Sequence, residues 1–194
     1  DIFILNDETY NYLVYEPEKF CSLLDVTDHA DDKIFSCFSF SKEFAMTGLR
    51  VGYMYLSEKM LQYLLKIHVT VTICAPTISQ QIGLVMLGRE DDWAAPYYET
   101  FRKKREILMA ELDKGRGFVS YNPPIGAYYM FIKYNLDMPS SEVAVRVLDE
   151  ANVVTIPGSS FGSFGEGYLR ISFAASEDHV REGAKRLVEW LKSA

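Results

Sequence analysis

The chain alternates short apolar runs with amphipathic stretches, and the two periods separate cleanly. Ile2-Phe3-Ile4-Leu5 is continuously apolar, as expected of a strand buried on both faces of a sheet, and it ends on the polar cluster Asn6 to Tyr10. Further strand-like runs are Ile34 to Ser39 and Val51 to Leu56. Residues 17–33, with Pro17 and the acidic stretch Asp25 to Asp32, read as loop. Ser57 can cap a helix reaching about Lys66, and a second helix follows Pro76 with Ile78, Ile82, Val85 and Met86 on its apolar side. Strands alternating with helices predict an α/β layer with parallel strands.

The pattern changes near Asp92. A long amphipathic helix carries Tyr97, Phe101, Leu108 and Leu112 on one side, and Gly115 and Gly117 close it. The strands Ala127 to Ile132, Val153 to Ile156 and Tyr168 to Phe173 follow. Between them lies a helix capped by Ser140 with Val143, Ala144, Val147 and Leu148 inward. Ser176 caps the final helix, which turns Val180, Ala184, Leu187 and Leu191 to one face. Two regions are therefore expected, 1–92 as α/β and 93–194 as α+β, bridged by the long helix. An opening strand with no lead-in reads as part of a larger domain.

Composition narrows the chemistry. The 194 residues are 48% hydrophobic with a formal charge of -7, which favours a soluble globular protein and argues against nucleic-acid and membrane partners. Three cysteines (Cys21, Cys37, Cys74) without CxxC spacing suggest core residues in a reducing, cytoplasmic setting. The histidines His29, His68 and His179 are scattered, so no metal site is expected.

Four segments could carry chemistry. Asp7 and Tyr10 follow a strand, where ligands of open α/β sheets bind, although an Asp cap beside a half-buried Tyr has the same pattern. Ser39-Phe40-Ser41-Lys42 also ends a strand; a lysine there is ordinarily solvated unless its surroundings favour the free amine. Arg50 stands between Gly48 and Gly52, a setting suited to bidentate capture of a phosphate or to a surface ion pair. Alternation in Tyr168 to Phe173 puts Arg170 opposite the apolar face, where an anionic ligand or an internal carboxylate has to meet it.

Taken in order, these segments resemble the class I, fold-type I pyridoxal-phosphate-dependent aminotransferases, of the aspartate and aromatic type. The run Phe38 to Tyr53 is similar to the family's lysine motif. Pro124 to Tyr129, and Pro157 to Gly162 with Gly165 to Phe173, resemble its later segments. The resemblance implies the C-terminal part of that fold: residues 1–92 from the large domain, including part of its sheet, and 93–194 as the small domain. It implies Lys42 as the Schiff-base lysine and Asp7 as partner of the pyridine nitrogen. Tyr10 would bond the ring oxygen, Ser39, Ser41 and Arg50 the phosphate, and Arg170 the substrate carboxylate. Amino acid and 2-oxo acid substrates, aspartate or a broader set, and a homodimeric full-length enzyme follow from the same source. The family's phosphate loop, ring-stacking aromatic and ring-contacting Asn have no counterpart here, which implies that the fragment is inactive alone.

Three other readings share parts of the pattern. Gly158-Ser159-Ser160-Phe161-Gly162 matches GxSxG, but a nucleophile elbow needs a helix directly after it. A cofactor-dependent lyase or synthase keeps the same Lys, Asp and Arg. A transcription regulator with an aminotransferase-like domain would carry a DNA-binding head upstream.

Overall fold

The computed structural model describes residues 2–28 and 31–194, so Asp1 of the opening run and His29 and Ala30 of the acidic loop lie outside the described residues. The chain divides into two compact units, Asp1–Ala95 and Pro96–Ala194.

The first unit holds a three-stranded sheet of β1 (Ile4–Asp7), β2 (Ile34–Ser39) and β3 (Gly52–Tyr55) in that order. β1 and β2 are parallel, but β3 returns antiparallel to β2, because only the short turn of Phe40–Glu43 (α1) and a 3-10 turn separate them. The expectation of parallel strands therefore holds for β1 and β2 and fails at β3: a reversal this short cannot cross over a sheet face. The burial expected of the opening run also fails. Phe3 is 65% and Leu5 70% exposed, so the side chains at this edge of the sheet are left largely uncovered.

Helices α2 (Glu58–Val71) and α3 (Thr77–Leu87) follow. Ser57 caps α2 by accepting a hydrogen bond from Met60 N–H, and the helix runs a turn beyond Lys66. No residue of α2 is buried, and Leu61, Leu65, Ile67 and Val69 are exposed. In α3, Ile82 and Met86 pack on the Phe40–Phe44–Met46 cluster, while Ile78 and Val85 face outward. The cysteines are free, with Cys21 and Cys74 exposed and Cys37 half-buried, so they are not the core residues expected.

The long helix α4 (Glu90–Leu112) buries Phe101, Leu108 and Leu112, as its periodicity requires. In the second unit, β4 (Val119–Tyr121), β5 (Tyr129–Tyr134), β6 (Ile156–Pro157) and β7 (Tyr168–Ser172) form an antiparallel sheet in the order β4-β5-β7-β6. β4 has no counterpart in the sequence reading, since three residues are too few to display a period. β5 starts two residues later than Ala127, which takes a left-handed conformation at φ 57°. β6 is cut to two residues before the turn at Gly158.

Helices α5 (Ser140–Ala151) and α6 (Glu177–Ser193) complete the core. Val143, Ala144, Val147 and, in α6, Val180, Ala184, Leu187 and Leu191 are buried, whereas Leu148 is exposed. Ser176 caps α6 through His179 N–H. Ser140 does not cap α5 but is its first residue, and its N–H is taken by the carboxylate of Glu166, 2.6 Å away. No described helix is long and apolar enough to cross a membrane.

Candidate functional site

Because β1 and β2 are parallel, their carboxyl ends emerge side by side. Asp7 pairs with Cys37, and Glu8 N–H extends the ladder by donating to Cys37 O at 2.9 Å. The Asp7 side chain is exposed, and its Oδ1 accepts from Thr9 N–H at 3.1 Å and from the Thr9 hydroxyl. Burial first, and then the charge of Asp7, push the Cys37 thiol up. Tyr10 sits half-buried in the turn that follows, where its carbonyl accepts from Leu13 N–H at 3.0 Å.

Two residues beyond Cys37, about 7 Å along the strand, Ser39 ends β2 and caps α1 by accepting from Ser41 N–H at 3.2 Å. Lys42 lies half-buried in this single turn. The turn is held from beneath: Phe40 and Phe44 stack at 5.0 Å, Trp93 meets Phe44 at 4.3 Å, and Leu49 and Val51 close the cluster.

The chain then reverses through Ala45, at φ 54°, and reaches Arg50, also left-handed at φ 50°. The Arg50 guanidinium is exposed and donates from Nη1 to Thr47 O at 2.8 Å. β3 starts at Gly52, directly opposite Ser39, and a Cβ there would lie 2.6 Å from Phe38 O. Glycine thus permits the close approach of β3 to the end of β2, two residues after Arg50. Gly48, by contrast, faces open space. Asp7, Ser39, Ser41, Lys42 and Arg50 are all gathered at one end of the β1–β2 pair.

Arg170 belongs to the second unit. Alternation in β7 buries Leu169, Ile171 and Phe173 and leaves Arg170 half-buried on the other sheet face. Its guanidinium lies 4.5 Å from the Tyr129 ring centroid and 4.9 Å from that of Phe161. No carboxylate among the described residues pairs with it. Phe131, opposite Arg170 in the register, stacks on Tyr168 at 4.9 Å. These aromatic neighbours were not readable from the sequence, because they depend on the β5–β7 register and on a loop fold.

That loop is closed by two glycines. A Cβ on Gly158 would lie 1.9 Å from Gly165 O, and one on Gly165 2.0 Å from Gly158 O. This contact folds residues 158–165 into two 3-10 turns, which puts Phe161 over Arg170. It also removes the hydrolase elbow: Ser160 lies within a 3-10 turn, and no α-helix follows before β7. Asp178 and His179 stand together in the first turn of α6.

Glu166 secures the far side of the loop. Hydrogen bonds from the N–H groups of Ser140 and then Gly167 hold its carboxyl below the usual carboxylate range. A lowered folded value means that its stabilisation is present above the unfolded glutamate value, about 4.3, and is lost as pH falls through the folded value. The melting temperature of Glu166→Ala should therefore trail the parent most at pH 7 and start to converge on it only as pH falls below about 4.3, the unfolded glutamate value. A gap that stays constant with pH would contradict this role.

Comparison with known proteins identifies the family. Residues 1–187 match the family Aminotransferase class I and II. The chain belongs to this family. It is 36% identical over 191 residues to a (5-formylfuran-3-yl)methyl phosphate transaminase of Methanocaldococcus jannaschii, covering 97% of this chain and 50% of that protein. It is 35% identical to an aspartate aminotransferase of Thermotoga maritima, covering 100% of this chain and 48% of that protein.

The fold matches solved aminotransferases along nearly its whole length. An aromatic aminotransferase from Pyrococcus horikoshii superposes with a TM-score of 0.90 at 27% identity, over 98% of this chain and 51% of that one. The Thermotoga maritima aspartate aminotransferase structure gives 0.86 at 33% identity, over 98% and 48%. The chain spans about half the length of the family members it matches.

Proposed function

We propose that this chain supplies the covalent lysine and the carboxylate-binding arginine of an aminotransferase that moves an amino group between an amino acid and a 2-oxo acid. The observation that carries the reading is the gathering of Asp7, Ser39, Ser41, Lys42 and Arg50 at one strand end, in a member of this family. Residues 1–92 would belong to the large domain and 93–194 to the small one.

The residues present suit the cofactor that the family implies, pyridoxal 5'-phosphate. Asp7 keeps Oδ2 without a donor among the described residues, which suits the N–H of a pyridinium ring. Among the described residues Arg50 commits Nη1, to Thr47 O, leaving donors for a phosphate beside the hydroxyls of Ser39 and Ser41. When bound, the cofactor supplies the electron sink for charge developing at the substrate Cα.

The protein's own groups do the rest. Lys42 Nζ would hold the cofactor covalently and, as a free amine, would move the proton at the substrate Cα. Asp7 would keep the ring nitrogen protonated, and the Tyr10 hydroxyl would meet the ring oxygen. Arg170 takes the substrate carboxylate and orients Cα.

A cytoplasmic homodimer is proposed for the full-length enzyme, and the exposed apolar residues of α2 suit burial against further protein. Aspartate or a broader set of amino acids is the proposed substrate range. The test is direct. The full-length protein with pyridoxal phosphate should show the visible absorbance of a lysine-linked cofactor and convert amino acid and 2-oxo acid pairs. Absence of both would refute the assignment.

A further inference from the structure

Glu8 is 3% exposed, although it follows directly on an exposed Asp7 at a strand end. Strand alternation turns the two carboxylates to opposite sides. Everything within reach of Glu8 converges on one oxygen. Oε1 accepts from Asn6 Nδ2 at 2.5 Å, from Ser22 Oγ at 2.7 Å and from Leu23 N–H at 3.3 Å, while Oε2 is buried with no partner among the described residues.

The segment it grips is itself well defined. Ser22 caps the 3-10 turn Leu23–Asp25, accepting from Leu24 N–H at 3.1 Å and donating its own N–H to Asp25 at 3.0 Å. Glu8 thus clamps residues 22–25 to the end of β1, across fourteen positions of sequence. Its backbone N–H is the rung that continues the ladder beyond Asp7.

Burying a carboxylate with one oxygen unsatisfied is costly, and a neutral or apolar residue fills a core position at less expense. Three donors on one oxygen, next in sequence to the carboxylate assigned to the cofactor ring, indicate a return for that cost. Held by β2 through its backbone and by residues 22–25 through its side chain, Glu8 leaves Asp7 little freedom to rotate away.

We infer that Glu8 is a positioning residue for Asp7: it fixes the strand end so that the Asp7 carboxylate stays aimed at the ring nitrogen. The inference rests on the cofactor reading above.

The test uses the full-length protein with Glu8→Ala, Glu8→Gln and Asp7→Asn. Glu8→Ala should weaken pyridoxal phosphate binding about tenfold, the scale of one lost charged hydrogen bond. It should also raise the pH midpoint of the visible band in the same direction as Asp7→Asn. A ring that loses its positive charge lets the Lys42 nitrogen hold its proton more tightly. Glu8→Gln keeps an accepting oxygen for all three donors and should restore both readings. A Glu8→Ala protein that melts earlier but keeps the parent midpoint and affinity would overturn the inference, as would one unchanged in all three. A parent protein that shows no visible band would instead sink the cofactor reading, so the two failures are distinguishable.

Discussion

Lys42→Ala in the full-length protein is expected to abolish the visible absorbance of bound pyridoxal phosphate and to lower kcat by on the order of 10^6-fold, the scale seen when a covalent nucleophile is removed. The size follows from two roles on one nitrogen, since the amine both holds the cofactor and moves the proton at Cα. Fold should survive. Lys42 is half-buried in a four-residue turn whose anchors are Phe40 and Phe44, so losing its side chain leaves the aromatic cluster intact. Absorbance spectra and melting curves check this together. A Lys42→Ala protein that keeps the band and turns over at the parent rate would remove lysine from the chemistry.

Arg170→Ala should lower kcat/KM by on the order of 10^2- to 10^3-fold, the range for removing one partner of a desolvated charge pair. The visible band should stay as in the parent, because Arg170 is assigned to substrate and not to cofactor. The structure makes this separation sharp. The guanidinium rests on the faces of Tyr129 and Phe161, and no described carboxylate competes for it. Arg170→Lys should fall between the two, keeping the charge while losing the bidentate fork. Steady-state kinetics beside a cofactor titration decide the matter, and equal loss of cofactor and substrate binding would contradict the assignment.

Both expectations start from short motifs that survive as local geometry. Ser39 and Lys42 fall in one capped turn, and Leu169, Ile171 and Phe173 turn inward together, because caps and alternation are properties of neighbouring residues. The same locality explains the correct helix faces of α4 and α6. The failures have the opposite character. Ser140 has the sequence of a cap, yet the α5 N-terminus is satisfied by Glu166, 26 positions away. Ile2 to Leu5 has the composition of a central strand, yet β1 lies at the edge of its sheet.

The sequence by itself determined the order of the motifs, the amphipathic faces and the side of β7 on which Arg170 lies, since each is set within a few residues. Only the tertiary structure decided that β3 turns back antiparallel, that Gly52 lies close against Phe38 and Ser39, and that Tyr129 and Phe161 flank Arg170. It also decided that Glu8 is buried against Ser22. These features depend on register and loop closure between residues far apart in the chain, and no local pattern encodes which partner a strand edge or a buried carboxylate will meet.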